Sequence, residues 1–298
     1  MSLKVAALQV KIVAGQVEKN LERVSGLVEE ALASGKGVTV GTNPYGAAFG
    51  KQEDQSSQEG GEMPAGELDV LVLPEYFSGA LPGTSDEKLE QVPECLKELA
   101  KEIKGVVAGS TLWSGESGKL SNRCFVFGAK GEKIGSFLKQ KLFKREIAYG
   151  FEAGNQFFKF DHGEFKTGIA ICNDVWWPEA YREELKECHL VLIPLMSSVD
   201  KIEYIQYGRL TWWNLAMTRS KENVQYLVAA DHAAGTILPG QESGPATCGA
   251  AMITNPWTRK MENVAKAIPD GREGLLVGEL TIDELMEYRE YRKRAGML

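Results

Sequence analysis

The sequence predicts an α/β sandwich in which helices cover two sheets. Two observations support this fold class. Short apolar runs typical of buried strands recur along the chain, and segments with apolar residues at helical spacing separate them. A third observation concerns domain number, because no linker and no low-complexity tract divides the 298 residues. We therefore expect residues 1–298 to form a single domain.

The first third of the chain contains two strand–helix units. Apolar runs at residues 3–10 and 68–73 predict buried strands. Apolar residues at helical spacing over residues 17–32 and 89–103 predict a helix after each strand. Between the units, residues 35–67 are rich in Gly, Ser, Gln and Glu. They predict a long surface excursion, which in a compact domain is usually functional or mobile.

The remainder of the chain repeats this alternation. Pro178 predicts the start of a helix, because proline is tolerated best in the first helical turn. Another helix is predicted at about residues 204–220, and a charged helix ends the chain. Strands are predicted at residues 106–112, 124–129, 134–140, 157–160, 167–171, 190–195, 224–230, 250–254 and 275–280.

Composition and charge argue against several classes of partner. Hydrophobic residues make up 43% and charged residues 25%, as in an ordinary globular protein. The net charge of −7 argues against general binding to nucleic acid or to anionic lipid. No run approaches the ~18 apolar residues of a membrane span, and the first residues alternate like a strand rather than a signal peptide. A cytoplasmic protein with no membrane partner is expected.

The cysteines and histidines argue against disulfide and metal frameworks. The five cysteines are odd in number and widely spaced, with no CxxC pair, so a disulfide framework or a structural zinc site is not expected. The three histidines are dispersed, which argues against a histidine-rich metal site. We expect no metal ion.

Three residues are candidates for chemistry because each is unusual in its context. Cys172 and Glu75 each end an apolar strand, where a sheet opens into a cleft, and Lys139 lies in a hydrophobic strand. Each also has an ordinary structural interpretation. Cys172 is then a buried thiol, Glu75 a capping or ion-paired carboxylate, and Lys139 a solvent-facing residue of an edge strand.

Taken together and in order, the segments LDVLVLPEYF, FLKQKLF and GIAICNDVWWPE resemble the nitrilase (carbon-nitrogen hydrolase) superfamily. The last segment supplies Cys172, Asp174, Pro178 and Glu179 at the family's spacing. VAALQV, FEAGN, MTRSKENVQYLVAAD and GAAMITNPWTRKM extend the resemblance over nearly the whole chain. The resemblance implies an α-β-β-α sandwich with two central mixed sheets covered by helices, assembled as a homodimer or a higher homo-oligomer.

The resemblance also implies a reaction. A small-molecule amide or carbamoyl substrate is hydrolysed at a non-peptide carbon–nitrogen bond through a cysteine thioester, without a cofactor. Cys172 is the expected nucleophile, Glu75 the general base and Lys139 the donor to the oxyanion. Lys139 is also expected to lower the pKa of Cys172. Glu146 is the expected second glutamate, with Glu152 as the runner-up.

Alternatives to this function stay open. Nitrile hydrolysis is less expected, because true nitrilases usually place Trp-Glu after the cysteine, where this chain has Asn173 and Asp174. A catalytically silent scaffold of the same fold is a second alternative. A cysteine–histidine pair of Cys172 with His189 or His232 is a third.

Substrate-binding residues are expected next to the nucleophile. Asn173 follows Cys172 directly, at a position where many members have an aromatic residue or Glu. Trp176 and Trp177 come shortly afterwards and are candidates for the pocket wall, although tryptophans after a strand often belong to the core.

Overall fold

The computed structural model describes residues 1–35, 68–115, 118–236, 245–257 and 265–298. From residue 36 onward, the predicted surface excursion lies outside these residues.

The described strands are short and mostly buried. They are β1 (Ser2–Val10), β2 (Val70–Glu75), β3 (Val106–Ser114), β4 (Leu120–Phe127), β5 (Lys133–Leu138), β6 (Lys159–His162), β7 (Phe165–Ile169), β8 (Leu190–Pro194), β9 (Ser198–Val199), β10 (Tyr226–His232), β11 (Ala246–Thr247), β12 (Met252–Thr254), β13 (Ala265–Ala267) and β14 (Gly274–Thr281).

The described helices lie between the strands and after the last one. They are α1 (Val17–Ser34), α2 (Asp86–Ile103), α3 (Lys144–Ala148), α4 (Pro178–Glu184), α5 (Ile205–Asn223) and α6 (Ile282–Arg294). Two 3₁₀ turns, Cys172–Trp176 and Ile202–Tyr204, precede α4 and α5.

Twelve of the described strands form two mixed sheets that meet at the carboxyl ends of β1 and β10, and β9 pairs separately with β11. The first has the order β5-β4-β3-β2-β1-β14, with β1, β2 and β3 parallel to one another. The second has the order β6-β7-β8-β10-β12-β13, with β7, β8 and β10 parallel. Strands β1 and β10 join the sheets in parallel through the pairs Gln9–Asp231 and Val10–His232.

Both faces of the first sheet are buried, and β1 shows why. Alternate side chains of a strand point to opposite faces. Val5 and Ala7 belong to the core shared with the second sheet, whereas Ala6 and Leu8 belong to the core under α1 and α2. Burying a Val or Leu side chain contributes about 1.5–3 kcal/mol, so an apolar residue at every position is favoured.

The α-β-β-α arrangement predicted from the sequence is confirmed. Helices α4, α5 and α6 supply Tyr181, Trp213 and Leu285 to the core of the second sheet. No described helix has the length and apolar character needed to cross a membrane.

Several strand boundaries differ from the predictions by two or more residues, and the difference at β5 affects the site. β5 ends at Leu138, so Lys139 lies just beyond the strand. The backbone N–H of Lys139 still donates to Asn122, but those of Gln140 and Lys141 donate to the Asp174 carboxylate instead of a strand partner. The chain therefore turns away from the sheet at this point.

Candidate active site

The candidate site lies where strands of both sheets end. Glu75 is the last residue of β2, Lys139 follows β5, and Cys172 begins the 3₁₀ turn after β7. The carboxyl ends of parallel strands commonly form such a crevice. All three side chains line one cavity of about 1360 Å³.

The Lys139 ammonium lies between two carboxylates. Its Nζ donates to Oε1 of Glu75 at 2.7 Å and to Oε1 of Glu146 at 3.0 Å. Lys139 and Glu75 are each 1% exposed. Because a buried charge is costly unless it is paired, this arrangement keeps a cation and two acidic groups together away from bulk water.

Two neutral side chains complete the network. Asn122 Nδ2, from β4, donates to Oε1 of Glu75 at 2.7 Å and to Oε1 of Glu146 at 2.8 Å. The Tyr76 hydroxyl donates to Oε1 of Glu146 at 2.6 Å. Burial raises the pKa of Tyr76 well above its usual value, so the hydroxyl stays protonated and remains a donor.

Helix α3 is short, yet it places Glu146 in the site. The backbone N–H of Phe143, directly before the helix, donates to Oε2 of Glu146 at 2.6 Å. This contact ties the carboxylate to its own helix start and holds it against Lys139, whose Nζ lies 3.0 Å from Oε1 and 2.9 Å from Oε2. Glu152, the runner-up, is exposed, and its backbone pairs with β4.

The backbone at Cys172 is strained. Its φ of +44° lies in the left-handed region, which L-residues other than Gly rarely adopt. The Asp174 carboxylate accepts from the backbone N–H groups of Ile171 at 2.9 Å and Lys141 at 2.7 Å. It therefore ties the cysteine turn to the segment that carries Lys139, and such support is what a strained residue needs.

The Cys172 thiol is 8% exposed and has close acidic and carbonyl neighbours. Its Sγ donates to the Met196 carbonyl at 3.9 Å, and a hydrogen bond with Glu75 contributes to the pKa values of both groups. Burial is the main reason that the pKa of Cys172 is raised well above its usual value, and the charge of Glu75 raises it further.

The expectation of a lowered thiol pKa is therefore wrong for the resting site. Lys139 does act in the expected direction, but burial and Glu75 outweigh it. Cys172 rests as a neutral thiol, and forming the thiolate needs a group that accepts its proton.

The two glutamates shift in opposite directions. Burial raises the pKa of Glu75, and the charge of Glu146 adds to this against the opposing effect of Lys139. Burial would raise the pKa of Glu146 too, but Lys139, Tyr76 and Asn122 outweigh it and lower the pKa. Burial would lower the pKa of Lys139, but its acidic neighbours raise it. Glu75 is thus the carboxylate better suited to exchange a proton.

The cavity wall contains two of the three expected substrate-binding residues. Asn173 and Trp176 line it, and Asn173 Nδ2 donates to the carbonyls of Lys141 and Leu142. Among the described residues that line the cavity, Trp177 is absent. Its ring faces Lys141 Nζ at 5.1 Å from the centroid.

Two histidines were candidates for a cysteine–histidine pair. His189 lies at the opposite end of the second sheet, directly before β8, where its Nδ1 accepts from the Lys166 N–H. His232 does line the cavity, but its Nε2 contacts the Glu75 carbonyl rather than the thiol. Among the described residues, no three His, Cys, Asp or Glu side chains are grouped as metal ligands.

Sequence reasoning missed Tyr76 and Asn122, and it considered His232 only as a partner of Cys172. Tyr76 follows the predicted base directly, and Asn122 precedes the strand predicted at residues 124–129. Asp231 and His232 end an apolar strand, which is the same signal that singled out Glu75.

The sequence and the structure were compared with known proteins. A family model described as carbon-nitrogen hydrolase matches residues 4–290. Omega-amidase NIT2-A from Xenopus laevis is 28% identical over 236 residues, which cover 74% of this chain and 79% of that protein.

Solved structures are also similar. A carbon-nitrogen hydrolase from Helicobacter pylori G27 has a TM-score of 0.76 at 19% identity and covers 98% of this chain and 93% of its own. A mutant amidase from Nesterenkonia sp. AN1, described with acrylamide added at the active site cysteine, has a TM-score of 0.68 at 19% identity. It covers 98% of this chain and 99% of its own. These structures support the fold.

Proposed function

The chain belongs to the carbon-nitrogen hydrolase family, and from this premise we propose that it hydrolyses a small-molecule amide through a thioester on Cys172. One observation carries the proposal. The Lys139 ammonium is buried between Glu75 and Glu146, beside a thiol that lines the same cavity. A scaffold without activity has no use for three charged groups that are costly to bury.

The acylation step uses the acidic neighbour of the thiol. Glu75 takes the proton of Cys172, and Sγ attacks the amide carbon, whose oxygen becomes an oxyanion. An ammonium has three N–H donors, and Lys139 uses two of them on Glu75 and Glu146. The third is available for the oxyanion, together with the backbone N–H of Asn173. Glu75 then protonates the departing nitrogen as the carbon–nitrogen bond breaks.

The deacylation step returns the enzyme to its resting state. Glu75 takes a proton from water, and the hydroxide attacks the thioester carbon. The bond from carbon to Sγ breaks, the carboxylic acid leaves, and the proton on Glu75 returns to Cys172. The raised pKa of Glu75 suits a residue that must accept and return a proton in both steps.

We infer that the substrate is an amide with an acidic group elsewhere in the molecule. Lys144 and Arg145 contribute to its wall, together with several aromatic side chains. Relatives of similar sequence are described as ω-amidases. We therefore place ω-amides of dicarboxylic acids first among the substrates, ahead of neutral aliphatic amides, carbamoyl compounds and nitriles.

An ammonia-release screen over these four substrate classes tests the proposal. We expect turnover of at least one amide by the wild-type protein and none by Cys172→Ala. Turnover of nitriles alone would assign the alternative reaction. If no class releases ammonia while limiting iodoacetamide still labels Cys172, the silent-scaffold interpretation replaces the proposal.

We further propose that residues 1–298 act as one domain within a homodimer or a higher homo-oligomer. Trp177, Ile202 and Tyr207 are exposed large apolar side chains and are the first candidates for the contact surface between protomers. Sedimentation at micromolar concentration should show a species larger than the 32.7 kDa chain. A 32.7 kDa species alone contradicts this.

A further inference from the structure

A buried imidazole at the site has no role in the steps above. His232, the last residue of β10, is 3% exposed and lines the same cavity as Cys172. Its Nε2 lies 2.7 Å from the backbone carbonyl oxygen of Glu75. A carbonyl oxygen only accepts hydrogen bonds, so Nε2 must carry the hydrogen and donate it.

The carbonyl that His232 holds belongs to a strained peptide. This peptide joins Glu75 to Tyr76, whose φ is +53°. For a bulky aromatic residue such a backbone persists only when its surroundings hold it in place. Other restraints on this segment include the hydrogen bond of the Glu75 N–H to the Leu195 carbonyl at 3.1 Å, that of the Gly79 N–H to the Tyr76 carbonyl at 2.8 Å, and the side-chain contacts of Glu75 and Tyr76 described above. Rotation of this one peptide would displace both the Glu75 carboxylate and the Tyr76 hydroxyl.

His232 is itself firmly placed. The backbone N–H of His232 donates to the Asp231 carboxylate at 2.8 Å. That carboxylate also accepts from the backbone N–H groups of Ser197 at 2.9 Å and Ala250 at 2.7 Å. The next N–H, of Ala233, donates to the Val10 carbonyl at 2.8 Å. These bonds fix the backbone of His232 at the end of β10, where β10 of the second sheet meets β1, whereas Glu75 ends β2 of the first sheet.

The geometry points to His232 as a positioning residue: its Nε2–H links the base-bearing end of β2 to the sheet that carries the nucleophile. Cys172 follows β7 of the second sheet, and Glu75 ends β2 of the first. The hydrogen bond therefore joins β2 of the first sheet to β10 of the second, and the relative position of the two sheets sets the distance for proton transfer from Cys172 to Glu75. The inference rests on the proposed function, since it assigns His232 to the placement of the proposed base.

The imidazole acts as a neutral donor and not as an acid–base group. Its Nδ1 is buried and has no hydrogen-bond partner among the described residues. A second proton on Nδ1 would put an unpaired charge in the interior, and burial accordingly lowers the pKa of His232 to about 4. Glu75, which lines the same cavity, and Asp231, which precedes His232, have carboxylates that could accept a hydrogen bond, and neither accepts one from Nδ1.

The test compares variants that keep or lose the donor. His232→Gln places an amide N–H near the position of Nε2, whereas His232→Leu has similar bulk and no donor. His189→Leu serves as the control, because His189 contacts backbone outside the site. Alkylation of Cys172 by iodoacetamide is followed by mass spectrometry from pH 6 to pH 10, which requires no substrate. The kcat and KM of the amide found by the ammonia screen are measured alongside, with thermal unfolding of each variant.

A misplaced catalytic group can cost about 10²-fold in rate. For His232→Leu we expect kcat to fall about 10- to 100-fold with KM nearly unchanged, and Cys172 alkylation at neutral pH to slow about tenfold. His232→Gln should stay within about threefold of wild type in both measurements. If His232→Leu does not fold, His232→Asn takes its place, because its shorter amide does not reach the Glu75 carbonyl.

The outcomes separate this inference from the proposed function. If the wild-type protein turns over an amide while the donor-free variant matches it in kcat and alkylation, the positioning role is wrong and the function stands. Equal impairment of His232→Gln and the donor-free variant also overturns the role. If no amide is turned over, yet alkylation slows without the donor and recovers with Gln, the positioning role stands and the function fails.

Discussion

Replacing Lys139 by Met is the sharpest perturbation of the site, because it removes the charge and keeps most of the volume. Glu75 and Glu146 would both lose the ammonium that contacts them at 2.7 and 3.0 Å. Removing one partner of a buried ion pair costs about 3–5 kcal/mol. Native domains have about 5–15 kcal/mol of stability, so we expect a destabilised protein that still folds.

The loss of activity has two physical causes. The first is the missing oxyanion donor, whose removal typically lowers turnover about 10²–10³-fold. The second concerns the base, since Lys139 opposes the upward shift in the pKa of Glu75 that burial causes. Without Lys139 that pKa rises further, and more Glu75 is protonated at neutral pH. The residual activity of Lys139→Met should therefore increase as the pH is raised above neutral.

Ammonia release, its pH profile and urea unfolding measure these effects. Lys141→Met is the matched control, because Lys141 is two residues away and its Nζ faces the Trp177 ring instead of the carboxylates. We expect near wild-type turnover for this control. A Lys139→Met protein that keeps more than half of the wild-type activity, beside an inactive Lys141→Met protein, would show that the assignment of the lysine is wrong.

Three further predictions concern the thiol, the tyrosine and the buried histidine. Limiting iodoacetamide should label Cys172 before the other four thiols, because Cys172 lines the cavity and has Glu75 beside it. Peptide mapping that finds another cysteine labelled first, with activity intact, refutes this prediction. Tyr76→Phe removes a donor from Glu146 and should lower kcat about tenfold and stability by about 1 kcal/mol, whereas unchanged kinetics would show that the hydroxyl is dispensable. Because burial lowers the pKa of His232 from 6.5 to about 4, the unfolded chain takes up a proton as pH falls below 6.5 and the folded protein does not. This group therefore does not lower the free energy of unfolding above pH 6.5, and it lowers that free energy by about 3 kcal/mol by pH 4. Between pH 7 and pH 4 the unfolding free energy of wild type should therefore fall by about that amount relative to that of His232→Gln, and parallel curves would contradict the assignment. The opposite shift at Asp231, whose pKa burial raises to about 7, is common to both proteins.

Residues at the ends of apolar strands were predictable from the sequence. Glu75 and Cys172 both stand where a buried strand ends, and parallel strands bring their carboxyl ends to the same edge. Lys139 and Glu146 were predicted from the spacing of family motifs, because their own segments contain several lysines and two candidate glutamates. The fold distinguishes the glutamates, since α3 turns Glu146 inward while Glu152 is exposed.

The supporting contacts were not predictable, because they join residues far apart in the chain. Asn122 reaches Glu75 across 47 residues, and His232 reaches its carbonyl across 157. Neither periodicity nor motif spacing reports which strand ends face each other across two sheets. The direction of the Cys172 pKa was missed for a related reason. The sequence shows the lysine nearby but not the burial that outweighs it.

The most direct test of the central claim is to find the acyl group on Cys172 during turnover. An amide identified by the ammonia screen is mixed with the protein, the reaction is quenched with acid, and peptides are mapped by mass spectrometry. We expect the acyl mass on the peptide that contains Cys172, as a thioester that hydroxylamine removes, and no such adduct in Cys172→Ala. Ammonia release by Cys172→Ala at the wild-type rate, or an acyl group carried by a different residue, would contradict the account.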